Sequence, residues 1–271
     1  MLVRSQKLLR EARANKQAVF AFNVYNMESA QAVVRAGEKA RKPIIVQASQ
    51  TSLQYAGLEN LAHIVHELAR SATIPIVFHL DHGKDLPFVE KAIRSRIFTS
   101  IMYDGSSLPL AENIKNTARV VKMAHRARIG VEGELGIVGT AGGNTGVKIE
   151  YTDPAQAKEF VYKTKCDSLA VAFGNIHGAK TENEKLNFTV LKEISHAVNI
   201  PLVFHGASNS TRAEIKEASA LGIAKINIDT QLKQAFFKAV KDNSNTSDPR
   251  VLLSATRDAM EKEAYSLLRS S

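Results

Sequence analysis

Ile76-Val-Phe-His-Leu-Asp-His-Gly83 follows Pro75 and reads as a short buried parallel strand that ends in polar groups. Apolar residues fill its first half, and Asp81 and His82 arrive at its end. The pattern recurs. Pro201-Leu-Val-Phe-His205 ends in a histidine, and Val171-Ala-Phe-Gly-Asn-Ile-His177 leads to another. Working outward, strand-like runs fall near 18–23, 43–49, 75–81, 99–104, 129–135, 168–174, 200–205 and 223–228. Amphipathic stretches near 26–40, 58–70, 86–95, 110–127, 154–165, 188–198 and 211–221 separate them, and another follows near 230–243. Pro43, Pro75 and Pro201 precede strands, where a missing N–H is tolerated. Asp153-Pro154 and Ser210-Thr211 read as helix starts. This alternation predicts an α/β chain folded as a closed (β/α)8 TIM barrel, with an extra C-terminal helix near 251–268. No Gly-x-Gly-x-x-Gly follows the first strand, which argues against an open dinucleotide-binding sheet.

The 271 residues suit one barrel domain spanning 1–271, since about 250 is typical of the fold. The C-terminal helix is expected at an oligomer interface. A single cysteine, Cys166, excludes an internal disulfide and fits a reducing compartment. No apolar run reaches the ~18 residues of a membrane span, and the first residues lack the apolar core of a signal peptide, so a cytoplasmic location is expected. The net charge of +9 comes from basic residues scattered among acids, without a long Lys/Arg block and without tryptophan. That pattern argues against a nucleic-acid partner and is compatible with attraction of anionic metabolites.

Active sites of this fold gather at the C-terminal ends of the strands. In chain order those ends offer Asn23, then Gln47 and Ser49, Asp81 and His82, Asp104, Glu132 and Glu134, His177, His205, and Asn227 with Asp229. One strand-end histidine is ordinarily structural. Three, His82, His177 and His205, match the catalytic zinc arrangement of three protein ligands plus an open position. Asp81 is then a candidate proton donor and acceptor, or a carboxylate that orients a histidine. In a regular strand Asp81 and His82 would face opposite ways, and Gly83 is expected to let the chain break away. Asp104 and Glu134 either supply a second, weaker divalent-ion position or balance nearby charge. His79, inside its strand, reads as a core or supporting group. Gly206-Ala207-Ser208 and Asn227-Ile228-Asp229-Thr230 follow the seventh and eighth strands, where barrels commonly hold a phosphate.

Seven segments together resemble the class II, metal-dependent fructose- and tagatose-bisphosphate aldolases. They are Ala21-Phe-Asn-Val24, His79-Leu-Asp-His-Gly83, Met102-Tyr-Asp-Gly-Ser106, Val131-Glu-Gly-Glu-Leu-Gly136, Gly174-Asn-Ile-His-Gly178, Leu202-Val-Phe-His-Gly-Ala-Ser208 and Lys225-Ile-Asn-Ile-Asp-Thr230. The resemblance implies Zn²⁺ on His82, His177 and His205, Asp81 as the catalytic proton donor, and a second metal position at Asp104 and Glu134. It implies that Gly178, Gly206, Ala207, Ser208, Asn227, Ile228, Asp229 and Thr230 hold dihydroxyacetone phosphate, with Asn23 and Ser49 lining the same pocket. The implied reaction is reversible cleavage of a ketose 1,6-bisphosphate, fructose favoured over tagatose, by a homodimer or homotetramer.

Some stretches depart from that pattern. The loop Thr140-Ala-Gly-Gly-Asn-Thr-Gly146 is uncharged where many relatives carry acids. Asn209 stands where glycine is usual, and Ser49-Gln-Thr-Ser52 lacks the usual Gly-Ala pair. A barrel that binds metal and sugar phosphate with reduced or lost turnover is therefore the alternative expectation. The glycine-rich loop reads as a mobile cover or a plain connection. With its acids missing, Glu150 or a water at the metal is the expected base for the C3 proton. A Schiff-base aldolase would need a lysine, and Lys225 is the one the strands offer.

Overall fold

In the computed structural model, which describes residues 1–140, 150–178 and 185–269, eight parallel strands close on themselves. They are β1 (Val19–Asn23), β2 (Ile44–Ser49), β3 (Ile76–Gly83), β4 (Ser100–Tyr103), β5 (Gly130–Leu135), β6 (Ser168–Val171), β7 (Leu202–Phe204) and β8 (Ile223–Ile228). Each pairs with its sequence neighbours, and β8 returns to β1 in the register Val19↔Lys225 to Phe22↔Ile228. The expected barrel forms, with strands close to their expected spans. β6 stops short of residue 174 because the backbone leaves the ladder: Ala172 N–H donates to Thr152 Oγ1 and Phe173 N–H to Asn175 Oδ1. Beyond that bend, Ile176–His177 pairs in parallel with Gly139–Thr140, which holds the backbone of His177.

The two-residue period of the strands sorts the core. Phe20, Phe22, Ile76, Phe78 and Leu80 face outward beneath the helices. Val19, Ala21, Ile45, Val77 and Ala224 form an apolar base inside the barrel together with Leu9 and Ala12 of α1 (Ser5–Ala14). This helix was not among the expected elements, and it closes the N-terminal end. Its apolar signal, Leu8-Leu9 and Ala12, is diluted by Lys7, Arg10, Glu11 and Arg13.

The outer helices are α2 (Met27–Ala40), α4 (Leu58–Ser71), α5 (Leu86–Ser95), α6 (Leu110–Arg126), α7 (Pro154–Thr164), α8 (Phe188–Ala197), α9 (Arg212–Ala220) and α10 (Thr230–Asp242). Local chemistry starts several of them. Asp153 caps α7 with Pro154 behind it, and Thr211 caps α9 in a reciprocal box with Glu214. A second unexpected helix, α3 (Gln50–Ala56), is capped by Ser49, whose Oγ accepts from Ser52 N–H at 3.1 Å. The C-terminal helix α11 (Pro249–Arg269) buries Thr256, Met260, Ala264 and Leu268, one stripe at four-residue spacing. That stripe packs against α2 and α10 of its own chain. No described helix is long and apolar enough to cross a membrane.

Candidate active site and metal centre

Three imidazoles from three segments converge at the C-terminal mouth. His82 comes from β3, His177 from the short ladder after β6, and His205 from the residue after β7. Ligand atoms of the three all lie within 4.8 Å of one another, and so do those of His82, Asp104 and Glu134. His82 Nδ1 is 3.0 Å from Asp104 Oδ2 and 3.7 Å from Glu134 Oε2. His205 Nδ1 is 3.6 Å from the same Glu134 oxygen.

Two atoms of this cluster, His205 Nδ1 and Glu134 Oε2, are buried without a hydrogen-bond partner. Buried polar atoms rarely remain orphaned. A divalent cation between them would satisfy both, and imidazole plus carboxylate is a donor set that Zn²⁺ accepts. The electrostatics agree. Burial pushes His82 down, yet Asp81, Asp104 and Glu134 outweigh it and raise the imidazole to about 10. Burial first, then Asp104, pushes Glu134 up to about 7. The acids of the mouth thus favour positive charge at this point. His177 is pushed down to about 3 by burial and by its His205 and His82 neighbours, so it is a neutral lone-pair donor.

Adjacent residues Asp81 and His82 share the mouth through a backbone device. His82 itself adopts φ +46°, in the left-handed region, and the β3–β4 register shifts between Leu80 and Gly83. The turn was expected at Gly83. Gly83 instead permits close approach: a Cβ there would lie 2.7 Å from Met102 O and 2.6 Å from Val89 Cγ2. Asp81 is held by two amides. Asn23 Nδ2 donates to Oδ2 at 2.8 Å and Asn227 Nδ2 to Oδ1 at 3.3 Å, while Gln47 fixes Asn23 at 2.7 Å. Burial pushes Asp81 up, but His82, His205, Lys225 and His79 outweigh it and hold the carboxyl at about 2. It is ionised at neutral pH.

Beside these groups opens a cavity of about 380 Å³. Asn23, Ser49, Asp81, His82 and His177 line it together with Gly178, Gly206, Ser208, Asn227, Asp229 and Thr230. Ser208 Oγ accepts from the N–H groups of Asp229 and Thr230 at 3.3 and 3.2 Å, tying the two loops together.

The family model described as class II fructose-bisphosphate aldolase matches residues 3–270. The chain belongs to the class II fructose-bisphosphate aldolase family. It is 37% identical over 267 residues to the D-tagatose-1,6-bisphosphate aldolase subunit GatY of Klebsiella oxytoca, covering 96% of this chain and 94% of that one. It is 42% identical over 237 residues to YdjI of Escherichia coli K12, covering 87% and 85% of the two chains. The crystal structure of that YdjI aldolase superposes with a TM-score of 0.90 at 38% identity, covering 100% of this chain and 97% of that one. The fructose-bisphosphate aldolase of Campylobacter jejuni superposes with a TM-score of 0.85 at 26% identity, covering 99% and 95%.

Within this aldolase fold the expected site residues occupy three levels. Asn23, Ser49, Asp81, His82, His177, Gly178, Gly206, Ser208, Asn227, Asp229 and Thr230 line the cavity. Asp104, Glu134 and His205 lie buried beside it. Ala207 and Ile228 have side chains in the hydrophobic core, which leaves only their backbone for a ligand. Asn23 and Ser49 also have structural duties, on Asp81 and at the start of α3. The sequence reading missed Thr51, Ser52 and Lys233, which also line the cavity. Lys233 sits one turn past Asp229 on α10 and bonds its Oδ2 at 2.5 Å, so the four-residue spacing was the available signal. Lys225 is buried and does not line the cavity, so the Schiff-base alternative loses its nucleophile. The cover expected over Gly139–Gly146 falls mainly on residues 141–149, and the Asn209 side chain likewise lies outside the described residues.

Gly206 has φ +68°, and a Cβ there would collide with Ile176 O, next to His177. Gly206→Ala is therefore expected to lower stability by more than ~1 kcal/mol and to weaken substrate binding. Thermal unfolding and KM measured together check this. An unchanged KM with an unchanged Tm would show that the turn tolerates a side chain.

Proposed function

We propose that this protein catalyses reversible aldol cleavage of a ketose 1,6-bisphosphate to dihydroxyacetone phosphate and glyceraldehyde 3-phosphate. Fructose 1,6-bisphosphate is the favoured substrate and the tagatose isomer the alternative. The single observation that carries this reading is the Asp81 carboxyl, pinned by two amides beside three convergent histidines at the wall of a cavity. Zn²⁺ held by His82, His177 and His205, with Asp104 and Glu134 as a second position, would supply Lewis acidity toward the substrate's carbonyl and hydroxyl oxygens.

The chain's own residues do the rest. Asp81, as the carboxylate, accepts the proton of the C4 hydroxyl as the C3–C4 bond breaks. The aldehyde leaves, and the bonding electrons stay on the three-carbon fragment as an enediolate. In the synthetic direction Asp81 returns the same proton to the aldehyde oxygen. Asn23 and Asn227 keep its two oxygens aimed. Gly206 and Ser208 offer small side chains and backbone N–H groups to the phosphate, and Thr230 its hydroxyl. Lys233, half-exposed beside Asp229, adds positive charge at that wall.

The enediolate carbon must also gain or lose a proton. Glu150 is exposed at the foot of the 141–149 stretch, its backbone paired with Ile137 at 2.9 and 3.2 Å. Glu150→Gln is expected to slow exchange of the C3 proton of dihydroxyacetone phosphate with solvent by ~10²-fold or more, the scale of a positioned general base. Unchanged exchange would remove Glu150 from the chemistry.

Homodimeric or homotetrameric assembly is part of the same reading, and sedimentation of the purified protein checks it. The reading as a whole is tested by a coupled cleavage assay with both bisphosphates, with and without chelator. Turnover that chelator removes supports it. Metal binding without turnover of either bisphosphate favours instead a barrel that only binds metal and sugar phosphate.

A further inference from the structure

Beneath the histidine cluster the barrel encloses a chain of charged side chains that the cleavage chemistry leaves unused. Lys225 Nζ donates to Glu132 Oε2 at 2.8 Å and lies 3.0 Å from His79 Nε2. His79 Nδ1 is 2.8 Å from Ser100 Oγ, and Glu132 Oε1 is 2.9 Å from His205 Nε2. All five residues are buried. Barrel interiors at this depth are ordinarily filled by Val, Ile and Leu, and burying an ion pair costs several kcal/mol per ion before its partners compensate. An apolar filling would have been the simpler core.

Donor and acceptor rules give the chain a direction. A lysine ammonium only donates and an ionised carboxylate only accepts. Lys225 Nζ pairs with Glu132 Oε2 at 2.8 Å, a buried ion pair in which the carboxylate oxygens act only as acceptors. His79 Nε2 must therefore accept from Lys225, so its Nδ1 carries the proton toward Ser100. Glu132, with Oε2 engaged by Lys225, presents Oε1 to His205, so His205 Nε2 must carry a proton. In the neutral imidazole that leaves Nδ1 as the bare lone pair. Nδ1 is the orphaned atom, 3.6 Å from Glu134 Oε2, on a ring that belongs to the three-histidine cluster.

We propose that Lys225 is a positioning residue for the metal centre: by anchoring Glu132 through Oε2, it fixes His205 as the Nε2–H tautomer and aims the Nδ1 lone pair at the ion. This rests on the proposed function only in taking the cluster as a divalent-metal site. Lys225 touches neither the cavity nor the reacting atoms.

The test uses a reversal that plain core packing does not produce. In Glu132→Gln, Lys225 must still find an acceptor and takes the Gln carbonyl oxygen. The amide NH₂ then faces His205 Nε2, which has to accept, and the proton moves to Nδ1, the nitrogen the metal needs. Zn²⁺ affinity, read by chelator competition on purified full-length protein, should fall ~10- to 100-fold. In Lys225→Met/Glu132→Gln the amide is free to turn, no buried charge is left unpaired, and affinity should recover several-fold over the single Gln variant. A purely structural role predicts the opposite order, with the double variant at least as impaired as the single. The ¹⁵N resonances of His205 in metal-free wild-type protein give an independent reading, expected to show the Nε2–H tautomer. An Nδ1–H wild type overturns the proposal even if both variants fail to fold. So does a Glu132→Gln protein with wild-type affinity, or a double variant without recovery. Because tautomer and affinity are read without substrate, absence of bisphosphate cleavage would count against the aldolase reading alone.

Discussion

Asp81→Ala is expected to keep its divalent ion and to lose carbon–carbon cleavage by ~10²–10⁴-fold, the range of a positioned acid–base group. The carboxylate lies on the strand that carries His82 but does not belong to either group of convergent metal-ligating atoms. Its two oxygens are engaged by Asn23 and Asn227, so its position is set without the metal. Removing it leaves the imidazoles in place and takes away the acceptor for the C4 hydroxyl proton. Exchange of the C3 proton of dihydroxyacetone phosphate does not need that acceptor and should persist. The variant therefore separates two half-reactions that the wild type runs together. Metal content, exchange and turnover on one preparation check it, and a variant with most of its turnover would remove Asp81 from the chemistry.

Loss of the ion is expected to have a comparable or larger effect. Chelator should reduce cleavage by ~10³-fold or more, since a Lewis acid contributes several kcal/mol to stabilising the developing charge. Zn²⁺ or Co²⁺ should restore it. His177→Ala and His205→Ala should each lose metal and turnover together, because two imidazoles leave the site one ligand short of the catalytic arrangement. His205→Ala has a second consequence: Glu132 Oε1 loses its donor in a fully buried setting. That variant should therefore also unfold at lower temperature than His177→Ala, whose ring is only half-buried. Borohydride with substrate should leave no covalent adduct, because Lys225 is committed to Glu132 and His79. Full turnover in metal-free protein would end the metal-dependent reading.

Much of this molecule could be read locally. A strand buried on both faces is a short apolar run, and eight of them at regular spacing already imply a barrel. Caps such as Asp153 and Thr211 act on groups three residues away, so they are visible without a fold. The helices that escaped notice were those whose local signal was weak. α1 mixes its apolar face with charge, and α3 is barely two turns long. β6 looked longer than it is because Thr152, twenty positions back, captures the N–H of Ala172.

The barrel, the level at which its polar groups emerge, and the three histidines and the aspartate that gather at its mouth were all legible in the amino-acid sequence. Those features depend on residue type and on the two-residue period of a strand, both local properties. Folding in three dimensions was needed to show that His205 Nδ1 is left without a partner, where the chain turns so that Asp81 and His82 share one mouth, and which groups Lys225 meets. His79 and Lys225 stand 146 positions apart, as do Asp81 and Asn227. Their meeting depends on closure of β8 onto β1 and on the stagger of eight strands around a common axis, which no local stretch of chain encodes.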